Sequence, residues 1–110
     1  PYLSRGLGDV YKRQIQKLAD KIGWDLDSVD LFEINEAFAM VTLLTVQELG
    51  LDTKRVNIFG GACAQGHPIG STGSRLIVTL AHAMKNQGKQ RGIAALCIGG
   101  GEATAIALER

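Results

Sequence analysis

Two kinds of apolar segment alternate along this chain, and their order limits the folds that it can adopt. Apolar residues recur at helical spacing, or in runs too long for a strand, in segments 15–22, 37–49 and 72–85. Shorter apolar segments typical of strands lie at 29–34, 54–59, 93–98 and 102–108. The order helix, strand, helix, strand, helix, strand, strand predicts an α/β fold in which a mixed β-sheet is covered by helices.

Details of composition refine this prediction. Gly23 and Gly50 follow the first two helical segments, where glycine commonly ends a helix. Segment 93–98 is continuously apolar, as expected for a strand that is covered on both faces. The last strand places alanines on one face at alternate positions 103, 105 and 107, and small side chains there allow a helix to pack closely.

Residues 1–14 differ from the rest of the chain. They mix glycine with basic residues and show no sustained hydrophobic period. We interpret them as a non-native or disordered segment, such as translated linker or adapter sequence, and exclude them from the predicted fold. A genuine N-terminal arm is the alternative. The predicted domain is therefore 15–110.

The composition excludes several function classes. With 110 residues the chain is long enough for one domain with a real core. Its net charge of +1 gives no electrostatic basis for binding nucleic acid. No apolar run approaches the roughly 20 residues of a membrane span. Two cysteines do not suggest a disulfide framework, so we expect a reducing, cytoplasmic location.

A glycine-rich turn with a single histidine fills segment 60–75. Gly66 precedes His67, and Pro68 biases the histidine toward an extended backbone. Ser71 or Thr72 can cap the helix that follows. An imidazole near the positive end of a helix is favoured in its neutral, proton-accepting form. The alternative is a structural turn that contains a hydrogen-bonded histidine.

Polar or reactive groups stand where the predicted strands end. Asn35 follows the first strand, His67 lies beyond the second, and Cys97 and Gly99 end the third. If these strands are parallel neighbours, their carboxyl ends converge and form a site. Each residue also has a simpler reading: Asn35 as a helix cap, Cys97 as a small buried hydrophobe, and the glycines at 99–101 as a tight turn.

We expect no metal site. Cys63 and Cys97 lack the close partner ligands that a zinc site requires. His82 lies within a helix and is predicted to be a surface or packing residue.

Three motifs together resemble the C-terminal half of the thiolases, in particular the acetyl-CoA acetyltransferase branch. They are Asn-Glu-Ala-Phe-Ala at 35–39, Gly-His-Pro-Ile-Gly at 66–70 and Cys-Ile-Gly-Gly-Gly at 97–101. The resemblance implies half of a layered αβαβα sandwich. It also implies acyl transfer between coenzyme A thioesters, by Claisen condensation or by thiolytic cleavage of 3-oxoacyl-CoA.

The resemblance further implies roles for single residues. His67 would activate the nucleophilic cysteine and help hold an oxyanion, and Asn35 would position the water that shares that oxyanion site. Cys97 would be the acid/base for the α-proton, and the Gly99 N–H would bind the oxyanion on the acyl-enzyme side. Phe38 would line the pantetheine channel, and Gly66 is a further expected substrate-binding residue.

The nucleophilic cysteine of the family belongs to its N-terminal half, and neither cysteine here lies in that motif. We therefore expect a fragment that does not turn over alone. For the full-length protein the resemblance implies acyl-CoA and CoA as substrates, no separate cofactor and a homo-oligomer. The alternatives are a non-catalytic thiolase-like module that binds acyl-CoA or lipid, and a ketoacyl synthase, against which the first and third motifs argue.

Overall fold

The computed structural model describes residues 2–35, 39–61, 72–98 and 102–110, with side chains for 10–35, 42–61, 73–96 and 103–110. Its main elements are helix α1 (Tyr2–Ile22), strand β1 (Leu31–Ile34), helix α2 (Ala39–Leu49), helix α3 (Thr72–Gln87), strand β2 (Arg91–Ile98) and strand β3 (Glu102–Glu109). Short 3-10 turns occupy Leu26–Ser28 and Thr53–Arg55.

The described strands form one mixed sheet in the order β1-β2-β3. Strands β1 and β2 are parallel, with Ile34 in register with Ala95. Strands β2 and β3 are antiparallel, with Cys97 in register with Ala103. The predicted α/β class with a mixed sheet is confirmed.

The sheet is covered on both faces. On one face Phe32 and Ile34 of β1 and Ile93 of β2 form a buried cluster with Ile15 of α1 and Val46 of α2. On the other face Leu31 of β1 and Ala94 of β2 pack against residues of α3. The small residues that were predicted to admit a helix beside β3 do so, because Ala103, Ala105 and Ala107 join the cluster that contains α1.

Each described helix ends in the same way. Gly23, Gly50 and Gly88 take left-handed backbone angles, with φ of 76°, 67° and 64°. The next residue then donates a backbone hydrogen bond back into the helix, for example from Trp24 N–H to Ala19 C=O at 2.8 Å. This is the Schellman geometry, and it confirms Gly23 and Gly50 as helix ends.

The N-terminal segment requires a correction. Residues 2–14 were excluded from the predicted fold, yet they belong to α1, which runs without a break to Ile22. Tyr11 is 1% exposed and belongs to the core cluster with Ile15. The glycines and basic residues around Tyr11 give no hydrophobic period, so the sequence pattern did not predict that its aromatic ring is buried. That the segment is foreign to the natural protein stays a prediction.

The strand expected at 54–59 is also corrected. Residues Thr53–Arg55 form a 3-10 turn, and only Val56 makes a bridge, parallel to Phe32 of β1. The chain leaves the sheet at Asn57, whose φ is +49°. A left-handed residue cannot continue an extended strand, so the segment adds one bridge rather than a full strand.

None of the helices in the described ranges has the length and hydrophobicity that crossing a bilayer requires.

Candidate active site

Two of the site residues predicted from the sequence lie at the same end of the sheet, where the parallel strands β1 and β2 finish. Asn35 directly follows β1, and its N–H donates to the carbonyl of Ala95 on β2 at 2.9 Å. Cys97 is two residues beyond Ala95 on the same strand. Because β1 and β2 are parallel neighbours, the predicted convergence of their carboxyl ends is confirmed for the backbone of these two residues.

The backbone carbonyl of Asn35 is held by two hydroxyl groups. Tyr11 Oη donates to it at 3.4 Å, and Thr42 Oγ1 of α2 donates at 3.5 Å. Together with the 2.9 Å bond from Asn35 N–H to Ala95, these two longer contacts surround the Asn35 backbone with hydrogen-bond partners.

The side chain of Asn35 is fully buried, with 0% of the residue exposed. In the part of the chain that the structure describes, neither its Oδ1 nor its Nδ2 has a hydrogen-bond partner. The helix-cap interpretation stays a prediction, because the N–H groups that a cap at Asn35 would bond lie at 37 and 38, outside the described residues. A buried amide without a partner in the described ranges is a donor and acceptor that a substrate or a water could use.

A partly buried ion pair joins β1 to α3 through Glu33, two residues before Asn35. Glu33 is 2% exposed, and its Oε1 lies 3.3 Å from Nη1 of Arg75, in the first turns of α3. Arg75 has two further buried donors, Nε and Nη2, that are unpaired among the described residues. The pair connects β1 to the beginning of the helix that follows the histidine segment.

Sequence reasoning did not single out Glu33 or Arg75 as a pair. The available signal was a glutamate at 33 between apolar neighbours in a buried strand, since an acidic residue there requires a partner. Asn57 was also missed, because it was assigned to the interior of a strand. Its contacts are described below.

The other predicted site residues fall outside the described residues. These are Phe38, Gly66, His67 and Gly99, together with Cys63 of the weighed metal site. For Cys97 the structure gives the backbone position only. His82 is exposed on α3, as predicted for a surface residue. No group of three or more potential ligands that could hold a metal ion occurs among the described residues.

Comparison with known proteins places these observations in a family. The family model described as "Thiolase, C-terminal domain" matches residues 6–110, a range that begins inside the N-terminal segment. The chain is 53% identical over 96 residues to the cytosolic acetyl-CoA acetyltransferase of Mus musculus, covering 87% of this chain and 24% of that protein. It is 49% identical over 105 residues to the acetyl-CoA acetyltransferase of Pseudomonas aeruginosa, covering 96% and 26%.

Solved structures agree with the sequence comparisons. The Bacillus anthracis acetyl-CoA acetyltransferase superposes with a TM-score of 0.90 at 45% identity, covering 94% of this chain and 26% of that one. The Acat5 thiolase of Ascaris suum, solved in complex with coenzyme A, gives 0.87 at 44% identity, covering 94% and 27%. The chain thus spans about a quarter of the length of these relatives.

Proposed function

Because the chain belongs to the thiolase family, as its C-terminal domain, we propose that the full-length protein is an acetyl-CoA acetyltransferase. It transfers acyl groups between coenzyme A thioesters, by Claisen condensation or by thiolysis of 3-oxoacyl-CoA. The relatives named as acetyl-CoA acetyltransferases support this proposal. The observation that carries it is the buried amide of Asn35, which has no hydrogen-bond partner among the described residues and lies beside the end of the strand that bears Cys97.

The proposed reaction begins in the part of the protein that precedes this chain. A cysteine there gives its proton to His67 and attacks the thioester carbonyl of the first acyl-CoA. The carbon–sulfur bond to coenzyme A breaks, and the leaving sulfur takes the proton from His67. The Gly99 N–H donates to the oxygen that becomes negative. Such preorganised donors commonly contribute a factor of about 10² to 10³ in rate.

Cys97 and Asn35 act in the second step. The Cys97 thiolate removes the α-proton of acetyl-CoA, and the water held by the Asn35 amide shares with His67 the negative charge on the enolate oxygen. The enolate carbon attacks the acyl-cysteine, a carbon–carbon bond forms and the cysteine leaves as a thiolate. Transfer of the proton from Cys97 to that cysteine restores both groups. Phe38 and Gly66 line the approach of the substrate.

We test this proposal in the full-length protein with Asn35→Ala. If the amide stabilises the enolate, kcat for acetyl-CoA condensation should fall by about 100-fold, the typical effect of removing one oxyanion donor. Asn86→Ala, an exposed asparagine on α3, is the matched control and should leave kcat within twofold. Unchanged kcat in Asn35→Ala and in Cys97→Ala would contradict the catalytic assignment and favour a module that only binds acyl-CoA or lipid.

The isolated chain should have no thiolase activity, since it carries only the C-terminal part of the proposed site. Incubation of residues 1–110 with acetoacetyl-CoA and coenzyme A should release no acetyl-CoA above the uncatalysed rate. Turnover that disappears in Cys97→Ala would show instead that this chain contains a complete site.

The proposal extends to partners and location. The full-length protein binds acyl-CoA and coenzyme A, needs no separate cofactor, forms a homo-oligomer and acts in the cytoplasm. The bound coenzyme A of the Ascaris suum relative and the cytosolic location of the mouse relative, both stated in their names, support the first and last of these.

A further inference from the structure

Asn57 covers the outer edge of β1, the edge that faces away from β2. Its backbone N–H donates to Phe32 C=O at 2.8 Å. Its side-chain Oδ1 accepts from Ile34 N–H at 2.8 Å, and its Nδ2 donates to Ile34 C=O at 2.9 Å. One residue therefore satisfies three successive polar groups on this edge of the strand.

The conformation of Asn57 explains how a single residue does this. Its φ of +49° makes it the one non-glycine residue with a positive φ in the described ranges. The backbone turns away from the sheet after Val56, and the chain then closes a turn in which Gly60 N–H donates to Asn57 C=O at 2.9 Å. The side-chain amide has the same donor and acceptor as a peptide group, so it replaces the next peptide of a neighbouring strand.

These contacts act on the residue that precedes Asn35. Asn57 holds both backbone polar groups of Ile34 from the outer edge, while Ala95 holds the N–H of Asn35 from the inner edge. The peptide that joins Ile34 to Asn35 is thus fixed from both sides. Because the Asn35 amide makes no hydrogen bond within the described structure, its direction depends on this backbone and on packing.

We infer that Asn57 is a positioning residue for Asn35: its side-chain amide fixes the peptide from which the Asn35 side chain extends. This inference rests on the proposed function, in which Asn35 contributes to the oxyanion site. Substitution of Asn57 should therefore impair the same step as substitution of Asn35, and only as long as Asn35 is present.

The experiment is a double-mutant cycle in the full-length protein, with kcat and KM for acetyl-CoA condensation as readouts. Asn57→Asp keeps the size of the side chain and the acceptor for Ile34 N–H, but places a carboxylate oxygen against Ile34 C=O. We expect it to lower kcat at least tenfold and to leave KM within twofold. In an Asn35→Ala background the same substitution should change kcat less than twofold, because effects of coupled residues are not additive.

Asp30→Asn is the matched control. Asp30 also holds backbone with two hydrogen bonds, from Gln90 N–H and Arg91 N–H at 2.9 and 3.0 Å, but at the opposite end of β1. Asp30→Asn should lower the melting temperature without changing kcat more than twofold, both with Asn35 present and in the Asn35→Ala background. If Asn57→Asp does not fold, Asn57→Gly removes the amide while accommodating the positive φ, and the same cycle is measured with it.

The outcomes are distinct. A large loss of kcat that is nearly abolished in the Asn35→Ala background supports positioning. An equal loss of kcat in both backgrounds, or unchanged kcat with a lower melting temperature only, overturns it and leaves Asn57 a structural residue. If the unsubstituted full-length protein has no acyltransferase activity, the proposed function is wrong and this inference is wrong with it.

Discussion

At the scale of single residues, the Asp30 carboxylate joins the amino ends of the parallel strands β1 and β2. Oδ2 of Asp30 accepts hydrogen bonds from Gln90 N–H and Arg91 N–H, just before and at the start of β2. The hydrogen bond from Gln90 lowers the pKa of the Asp30 carboxyl, with further contributions from Arg91 and from the positive charges of Lys89 and Arg55 that outweigh the opposing effect of burial. Asp30 therefore stabilises the fold in its ionised form.

Asp30→Asn should lower the free energy of unfolding of the chain at pH 7 by about 1 kcal/mol, the difference between a charged and a neutral hydrogen bond. The folded-state pKa of Asp30 lies below the ordinary value of 3.8. The stability that the ionised carboxylate contributes is therefore fully present above pH 3.8 and is lost as the pH falls through the folded-state pKa. The measurement is urea unfolding of both proteins at pH 7 and pH 3.

The difference in free energy of unfolding between Asp30→Asn and the unsubstituted chain should be smaller at pH 3 than at pH 7. Asp20→Asn, on the exposed part of α1, is the control and should differ little from the unsubstituted chain at pH 7. A difference for Asp30→Asn that is as large at pH 3 as at pH 7 would contradict the assignment to the ionised carboxylate.

At the scale of elements, side chains of α3 pack directly over Gly92 of β2. A Cβ added to Gly92 would lie 2.8 Å from Leu80 Cδ1 and 2.8 Å from Met84 Sδ. Both side chains are buried, with 0% and 1% exposed, so they would have to shift within the core to admit the new methyl group. At this position glycine leaves room for the side chains of α3, and its φ is not in the left-handed region.

Gly92→Ala should therefore reduce the free energy of unfolding by about 1 to 3 kcal/mol, as overpacking of a filled core does. Urea unfolding of the chain measures this. Leu80→Ala opens space beside the new methyl group. The double substitution should therefore lower the free energy of unfolding by less than the sum of the two single substitutions. Strict additivity would show that the methyl group is accommodated elsewhere.

Several elements were predicted from the sequence because their signals are local. The strands at 93–98 and 102–108 and the glycine helix ends depend on neighbouring residues alone, and the structure has them within about two residues of the prediction. The segment 54–59 has strand composition, but the left-handed turn at Asn57 and its contacts with Ile34 depend on a partner distant in sequence. The role of Tyr11 was missed for the same reason, since its contacts with the core and with Asn35 are long-range.

The candidate site was predictable only in part. The positions of Asn35 and Cys97 at strand ends follow from topology, and the structure confirms that their strands are parallel neighbours. The burial of Asn35, the lack of a described partner for its amide and the Glu33–Arg75 pair follow from packing in three dimensions, which no local sequence pattern shows.

At the scale of the whole molecule, apolar side chains remain on the surface of the described part. On α3, Val78 is 67% exposed and Ile77 is 37% exposed, while Leu43 on α2 is 64% exposed. Beside α3, an apolar pocket of about 190 Å³ opens between that helix and strands β2 and β3, with Ile106 at its rim. Ile77 also lines this pocket, and continuous apolar surface of this kind often marks a contact with another part of a protein.

The isolated chain should accordingly bind a hydrophobic dye such as ANS and self-associate. Sedimentation velocity at increasing protein concentration should show species larger than a monomer. Val78→Asp places a charge on the exposed surface of α3 and should reduce both effects, whereas Lys85→Asp, at an exposed polar position of the same helix, should not. A monomer that binds no dye would contradict this expectation.

Asn57, which covers the outer edge of β1, also limits where a further strand can pair with this sheet. Asn57 already bonds Phe32 C=O and both backbone polar groups of Ile34. A strand from another molecule therefore has none of these three groups available for pairing with β1. Among the described strands, β3 pairs along one edge only. Unpaired edges are where sheets recruit further strands and where aggregation begins. Edge-to-edge joining of two such sheets would therefore proceed through β3.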